Sequence, residues 1–181
     1  LGTRSLASCE VVLEGAEAYL VGREDRGIKQ MMEEVNMSRL SHGVRATGQM
    51  RRAFNESMQV ARNRTAWGKK LLEHPLMRRQ LIKILIPAEQ GLAVFMLAAS
   101  QLDAANAGSA DAASIVRMIT PLIKIRACRD AVTATRSALE SRAGNGVIEE
   151  WVNSKLVRDA HIALVWEGTS NINAIDVIRR A

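Results

Sequence analysis

An all-α fold, an up-and-down helical bundle with a short N-terminal β remnant, is predicted for these 181 residues. Three observations predict it. The chain has 26 alanines against 3 prolines, and only 3% of it is aromatic. Alanine costs least in a helix, whereas sheets favour aromatic and β-branched residues. Apolar residues recur at helical spacing over three long windows. Capping and breaking residues fall between those windows. The length suits one domain with a proper core.

The first 27 residues differ from the rest. Glu10-Val-Val-Leu-Glu14 and Ala18-Tyr-Leu-Val21 are β-leaning runs set between Gly2, Gly15, Gly22 and Gly27. They read as one or two strands with turns. Two strands are not stable alone, so they belong to a sheet whose other strands lie outside this sequence.

A long helix is expected from Ile28. Ile28, Met31, Met32, Val35, Leu40, Val44, Met50, Phe54, Met58 and Ala61 make one stripe, and Gly68 is read as its end. Gly43 and Gly48 either bend it or admit a close neighbour. The second helix follows His74, because Pro75 suits the first helical turn. Its stripe is Leu76, Leu81, Leu85, Leu92, Phe95, Met96 and Ala99, with Pro87 as a kink. Asn106-Ala-Gly108-Ser is a turn. Ser109 or Asp111 caps a third helix running to about Arg142. Its stripe includes Ile115, Met118, Ile119, Leu122, Ile125, Val132 and Leu139, and Pro121 is a second kink candidate. Ala143-Gly-Asn-Gly146 is a break. Two short helices follow, near Glu149 to Val165 and Ser170 to Arg180.

The formal net charge of +6 is scattered, as expected of a solvated helical surface. It permits weak attraction to nucleic acid without demanding it. Cys9 and Cys128 lie far apart and read as reduced residues of an intracellular, cytoplasmic protein. His42, His74 and His161 do not pair at metal-ligand spacing, so no metal is expected. Uninterrupted apolar runs stop at about eight residues, as in Leu92 to Ala99, so no membrane span is expected. No signal segment is read at the start. A first residue of Leu rather than Met suggests a piece of something larger, or a processed product.

The most informative stretch is Val165-Trp-Glu-Gly-Thr-Ser-Asn171. A lone carboxylate, Glu167, follows an apolar run and precedes a glycine and three small polar residues. Partial desolvation strengthens a carboxylate as a general base. The bland alternative is a solvated loop residue.

Several motifs converge on one family. Arg62-Asn-Arg-Thr-Ala-Trp-Gly68 resembles the Arg-x-x-Phe-Gly signature of the acyl-CoA dehydrogenases, with Trp67 in the Phe place. Leu72-Glu-His-Pro-Leu-Met-Arg-Arg79 is similar to the segment after it. Ala143-Gly-Asn-Gly146 resembles the Gly-Gly-x-Gly loop. Lys155-Leu-Val-Arg-Asp-Ala160 and Trp166-Glu-Gly-Thr169 resemble the closing signature. The order and spacing of these motifs are specific, and the resemblance covers essentially the whole chain. On it, residues 1–27, including Leu1-Gly-Thr-Arg-Ser5, are the end of a middle β-domain, and residues 28–181 are the C-terminal helical bundle domain.

The resemblance implies an FAD-dependent enzyme that removes the α-proton of an acyl-CoA thioester while the β-hydride goes to the flavin. It makes Glu167 the catalytic base. Some relatives carry the base on the first long helix, where this chain has Ser38, which cannot do that work. Asn36, Arg39 and Gly168 become substrate-side residues. Arg64, Trp67, Gly144, Thr169 and Asn171 become FAD-binding residues, with Arg64 and Trp67 serving the flavin of a neighbouring subunit. Arginine suits a pyrophosphate because its fork donates two hydrogen bonds. The bland alternatives are a surface arginine at 39, an interface aromatic at 67, a plain helix stop at 144 and an N-cap at Thr169. Glu140 stands where many members carry Gln, and Ala143 replaces the first Gly. Both departures count against the pyrophosphate contact. The implied partners are an acyl-CoA, a second copy of the chain in a dimer or tetramer, and an electron-transfer flavoprotein as acceptor. Trp166 and Asn171-Ile-Asn-Ala-Ile-Asp-Val177 resemble the branch of the alkylation-induced adaptive-response flavoprotein. That branch gives the rival reading, a stress-response flavoprotein that binds DNA.

Overall fold

The computed structural model describes residues 9–179. Leu1 to Ser5, Arg180 and Ala181 therefore lie outside the described residues. Among the described residues there are five α-helices: α1 (Gly27–Asn63), α2 (Pro75–Asn106), α3 (Ala110–Arg142), α4 (Val152–Val165) and α5 (Ser170–Ile178). The first three pack on one another, α4 lies on α3 and α1, and α5 lies on α3. This is the predicted all-α up-and-down bundle, with short connections between its long helices.

Local chemistry explains the helix limits. Pro75 occupies the first turn of α2, where its missing N–H leaves nothing unsatisfied. The Ser109 hydroxyl accepts from the Ala112 N–H at the start of α3. Pro87 and Pro121 lie inside continuous helices. Helix α4 starts at Val152, three residues later than the Glu149 expected from sequence.

Two expectations are corrected. Residues 10–14 and 18–21 form no strand, and they are exposed. Among the described residues nothing offers them ladder partners, so their backbone groups have no sheet to join. Helix α1 ends at Asn63 rather than Gly68. There the chain turns through a small antiparallel hairpin, β1 (Thr65–Ala66) with β2 (Lys69–Lys70), pairing Thr65 with Lys70 and Ala66 with Lys69. Trp67 and Gly68 at its tip both have positive φ, 49° and 76°. Such a pair of left-handed residues suits the right-handed twist of a two-residue hairpin turn.

The core is built from small side chains. Ala46, Ala53, Ala88, Ala127, Ala131, Ala134 and Ala138 are buried, with Met50, Ile84 and Cys128 among them. A Cβ on Gly43 would lie 2.2 Å from Ile123 Cγ2, so this glycine lets α1 and α3 approach closely. Gly48 has open space instead. The predicted stripes are thus only partly the core. Ile28, Met31, Leu76, Met96, Ile115 and Leu122 are exposed. Helices this close leave room for alanine between them and turn the bulky members of each stripe outward.

Among the described residues, α2 alone is long and apolar enough to cross a membrane, judged by length and composition. Here it packs on α1 and α3 through Leu81, Ile84, Ala88 and Ala98.

Candidate active site

Glu167 lies on the turn between α4 and α5, with φ 56°, beside Gly168 at φ 93°. A left-handed backbone is strained for a residue with a side chain, by about 1–2 kcal/mol. Surrounding contacts must therefore hold it. They come from three helices. From α1, Ser38 Oγ donates to Glu167 Oε1 at 2.9 Å, and Arg39 Nε donates to the Glu167 carbonyl at 3.1 Å. From α3, Lys124 Nζ donates to the carbonyls of Leu164 at 2.9 Å and Gly168 at 2.6 Å. From α5, Asn173 Nδ2 donates to the carbonyls of Gly168 at 2.8 Å and Thr169 at 3.0 Å. The carbonyls around Glu167 are thus occupied, and its carboxylate faces Ser38.

Two cations beneath this turn, Arg39 and Lys124, are buried. Arg39 also donates to Asn36 Oδ1 at 3.3 Å and pairs with Asp176 at 2.8 Å. Asp176 is shared with Arg117 at 3.5 Å. Lys124 is 1% exposed. Burial pushes the pKa of its ammonium down; Cys128 opposes the fall, Arg39 adds to it, and Glu167 opposes it. Behind Ser38, the His42 ring donates from Nδ1 to the Ser38 carbonyl at 2.9 Å and meets the Trp166 ring edge-on at 6.2 Å.

The structure brings Glu167, Asn36, Arg39 and Gly168 together. A Cβ on Gly168 would lie 3.2 Å from Asn173 and 3.6 Å from Arg39. Space and backbone conformation both select glycine there. Thr169 takes the N-cap place of α5, but its side chain makes no capping bond. Asn171 is exposed on the first turn of that helix. The contributions of Ser38, Lys124, Asn173 and Asp176 were not anticipated. Lys124 carried a signal, as a lone cation inside the apolar run Pro121-Leu-Ile-Lys-Ile125.

The other candidates form a second cluster. The helical rise of about 1.5 Å per residue puts Arg64 roughly 37 Å from Arg39 along the axis of α1. Arg64 lines a cleft of about 430 Å³ with Gln59, Asn145, Arg142 and Trp151. Arg142 stacks on Trp151, its guanidinium carbon 4.3 Å from the ring centre, and pairs with Glu56 at 2.6 Å. Gly144 is exposed, with open space where a Cβ would stand. Trp67 is 89% exposed and touches the His74 ring edge-on at 5.7 Å. Glu140 lies on the exposed side of α3, 3.7 Å from Arg136. Among the described residues, no group of three His, Cys, Asp or Glu side chains is arranged to hold a metal.

Comparison with known proteins identifies the family. The family profile of the acyl-CoA dehydrogenase C-terminal domain matches residues 25–181. Acyl-CoA dehydrogenase family member 11 of Caenorhabditis elegans is 32% identical over 99% of this chain and 29% of its own length. Putative acyl-CoA dehydrogenase AidB of Escherichia coli strain K12 is also 32% identical, over 99% of this chain and 33% of its own. The chain thus spans about a third of the length of these curated relatives. The crystal structure of C. elegans ACDH-11 in complex with C11-CoA superposes with a TM-score of 0.84 at 29% identity, covering 88% of this chain and 27% of that one. With the profile matched over most of its length, the chain belongs to the acyl-CoA dehydrogenase family, through that family's C-terminal domain.

Proposed function

We propose that the chain is the helical part of an FAD-dependent acyl-CoA dehydrogenase in which Glu167 removes the α-proton of an acyl-CoA thioester. The observation that carries this reading is the Glu167 carboxylate on Ser38, on a left-handed turn pinned by Arg39 and Lys124. A base works when its carboxylate is fixed near the proton it takes. By the resemblance, relatives with the base on the first helix carry it where Ser38 stands here, and the Ser38 hydroxyl reaches the Glu167 carboxylate. Asn36 and Arg39 orient the turn from the substrate side. The solved complex of a relative with C11-CoA supports an acyl-CoA as substrate class.

FAD, when bound, supplies the hydride acceptor. The residues present fit it. Arg64 offers a donor fork to a pyrophosphate and exposed Gly144 leaves room for close approach, while the neighbouring Arg142 is held by Glu56 and Trp151. The separation of roughly 37 Å between the Arg64 and Arg39 clusters exceeds what one flavin dinucleotide spans. Thr169 and Asn171 therefore serve the flavin of this chain's own site, while Arg64, Trp67 and Gly144 serve the flavin of a neighbouring subunit. Exposed Ile82, Ile86, Leu92, Val94 and Leu122 on α2 and α3 support burial against further copies or domains. An electron-transfer flavoprotein is the proposed acceptor.

The test is anaerobic flavin bleaching by a panel of acyl-CoAs in the complete FAD-loaded protein, with Glu167→Gln beside it. Bleaching in wild type and its loss in Glu167→Gln is the expected result. Equal bleaching in the variant overturns Glu167 as base. The net charge of +6 favours the DNA-binding reading as the second one. No bleaching with any acyl-CoA, together with DNA affinity that falls steeply with salt, would select it.

A further inference from the structure

Lys124 is the one buried cation of the turn for which the family resemblance supplied no role. It stands on α3, 40 residues before Leu164 and 44 before Gly168, and its ammonium bridges the carbonyls of both. One carbonyl belongs to the last turn of α4, whose final C=O groups have no partners within the helix. The other belongs to the residue just after Glu167. The Lys124 ammonium therefore bridges the two arms of the left-handed turn, spanning Val165 to Glu167. Among the described residues no salt bridge reaches it; burial disfavours its charge, Cys128 favours it, Arg39, a second buried cation, disfavours it, and Glu167 favours it. A buried charge on such terms costs stability. A neutral helix end with an amide cap, as Asn173 already supplies on Gly168, would avoid that cost. The lysine adds what the amide does not: a cation at the C-terminal, negative end of α4 and a cross-link to α3 beneath the carboxylate.

We propose that Lys124 is a positioning residue for Glu167, its ammonium tying the Leu164 and Gly168 carbonyls together so that the turn holds the Glu167 carboxylate against Ser38. This rests on Glu167 being the base. Arg39, from α1, holds the Glu167 carbonyl itself; Lys124 closes the opposite side from α3. Removing the ammonium leaves the carboxylate in place chemically but free to move with its turn. The proton-transfer step then slows, while acyl-CoA binding, made by other residues, changes little.

The experiment uses the complete FAD-loaded protein with Lys124→Met, Lys124→Gln and Glu167→Gln. Flavin bleaching is measured against acyl-CoA concentration and expressed per bound flavin. A loss of about tenfold to a hundredfold is expected in the maximal rate of Lys124→Met, since small misplacements of a reacting group cost this much. The half-saturating concentration is expected to stay within about twofold, as for an interaction made only in the transition state. A merely structural lysine lowers flavin content or melting temperature and leaves the per-flavin rate alone; that result overturns the proposal. Amide hydrogen exchange at residues 165–169 is followed in the same variants. Faster exchange there, with α3 unchanged, is expected for Lys124→Met, and unchanged exchange overturns the proposal. If Glu167→Gln bleaches like wild type, the base assignment falls, and exchange alone decides whether Lys124 holds the turn. If Lys124→Met does not fold, Lys124→Gln, which keeps an amide donor, carries both measurements with the same criteria.

Discussion

Gly146→Ala and Gly144→Ala differ by one methyl group placed two residues apart, yet they should have opposite consequences. A Cβ on Gly146 would lie 2.3 Å from the Leu139 carbonyl oxygen and 3.1 Å from Leu139 Cγ. Ordinary contact begins at 3.4 Å, so the oxygen and the methyl must separate by about 1.1 Å. The obstacle is backbone in the last turns of α3, which cannot swing aside as a side chain does. Overpacking of this kind costs about 2–3 kcal/mol. For a chain of this size that corresponds to a fall in melting temperature of roughly 4–12 °C. At Gly144 nothing lies within 4 Å of the added Cβ, and φ lies outside the glycine-favouring region. Gly144→Ala should be neutral, or stabilising by up to about 1 kcal/mol through the unfolded chain. Under the proposed flavin site it should still weaken FAD retention, because the methyl occupies the open space of the loop. Thermal denaturation followed by far-ultraviolet circular dichroism, with released flavin read by fluorescence, separates the two effects. Gly146→Ala melting within about 2 °C of wild type would refute the steric argument.

Burial pushes the pKa of the Cys128 thiol above its ordinary value, with Lys124 and Arg45 opposing the shift. The folded state therefore holds its proton at pH values where the unfolded chain has lost it. Wild type should lose stability relative to Cys128→Ala as pH rises above about 8.5, checked by denaturant titration at several pH values. In the native protein a thiol-alkylating reagent should label exposed Cys9 first and reach buried Cys128 only on unfolding, as peptide mapping would show. Trp67→Asn should leave stability within about 1 kcal/mol of wild type, because the turn favours Asn before Gly and the indole is exposed. The same variant should lower flavin retention in the complete protein, measured as FAD content after gel filtration; full retention would remove Trp67 from the proposed cofactor site. The 181-residue chain by itself should bind FAD poorly and show no turnover with acyl-CoA, and a fully active isolated chain would contradict the shared-site arrangement.

Much of the architecture was legible because its signals are local. Pro75, Ser109 and the break after Arg142 mark helix limits through backbone chemistry that acts within a turn or two. The motif order around Arg64, Gly144 and Glu167 pointed to the family, and the matched profile bears that out. The end of α1 was not legible, because the left-handed pair Trp67–Gly68 makes a hairpin where glycine alone suggested a helix stop. The core was misread for a related reason. Helical spacing marks an apolar stripe but does not say which side of it faces a neighbour, and close packing chose alanine over Leu76, Met96 and Leu122.

Sequence by itself determined that this chain is helical, where its long helices begin, and that Glu167 stands alone beside an apolar wall. Only the tertiary structure decided what that carboxylate meets. Ser38 is 129 residues away along the chain and Lys124 is 43 residues from Glu167, so no local pattern could join them. Their meeting depends on the rotation and register of α1 and α3 against the α4–α5 turn, which side-chain volume throughout the core sets at once.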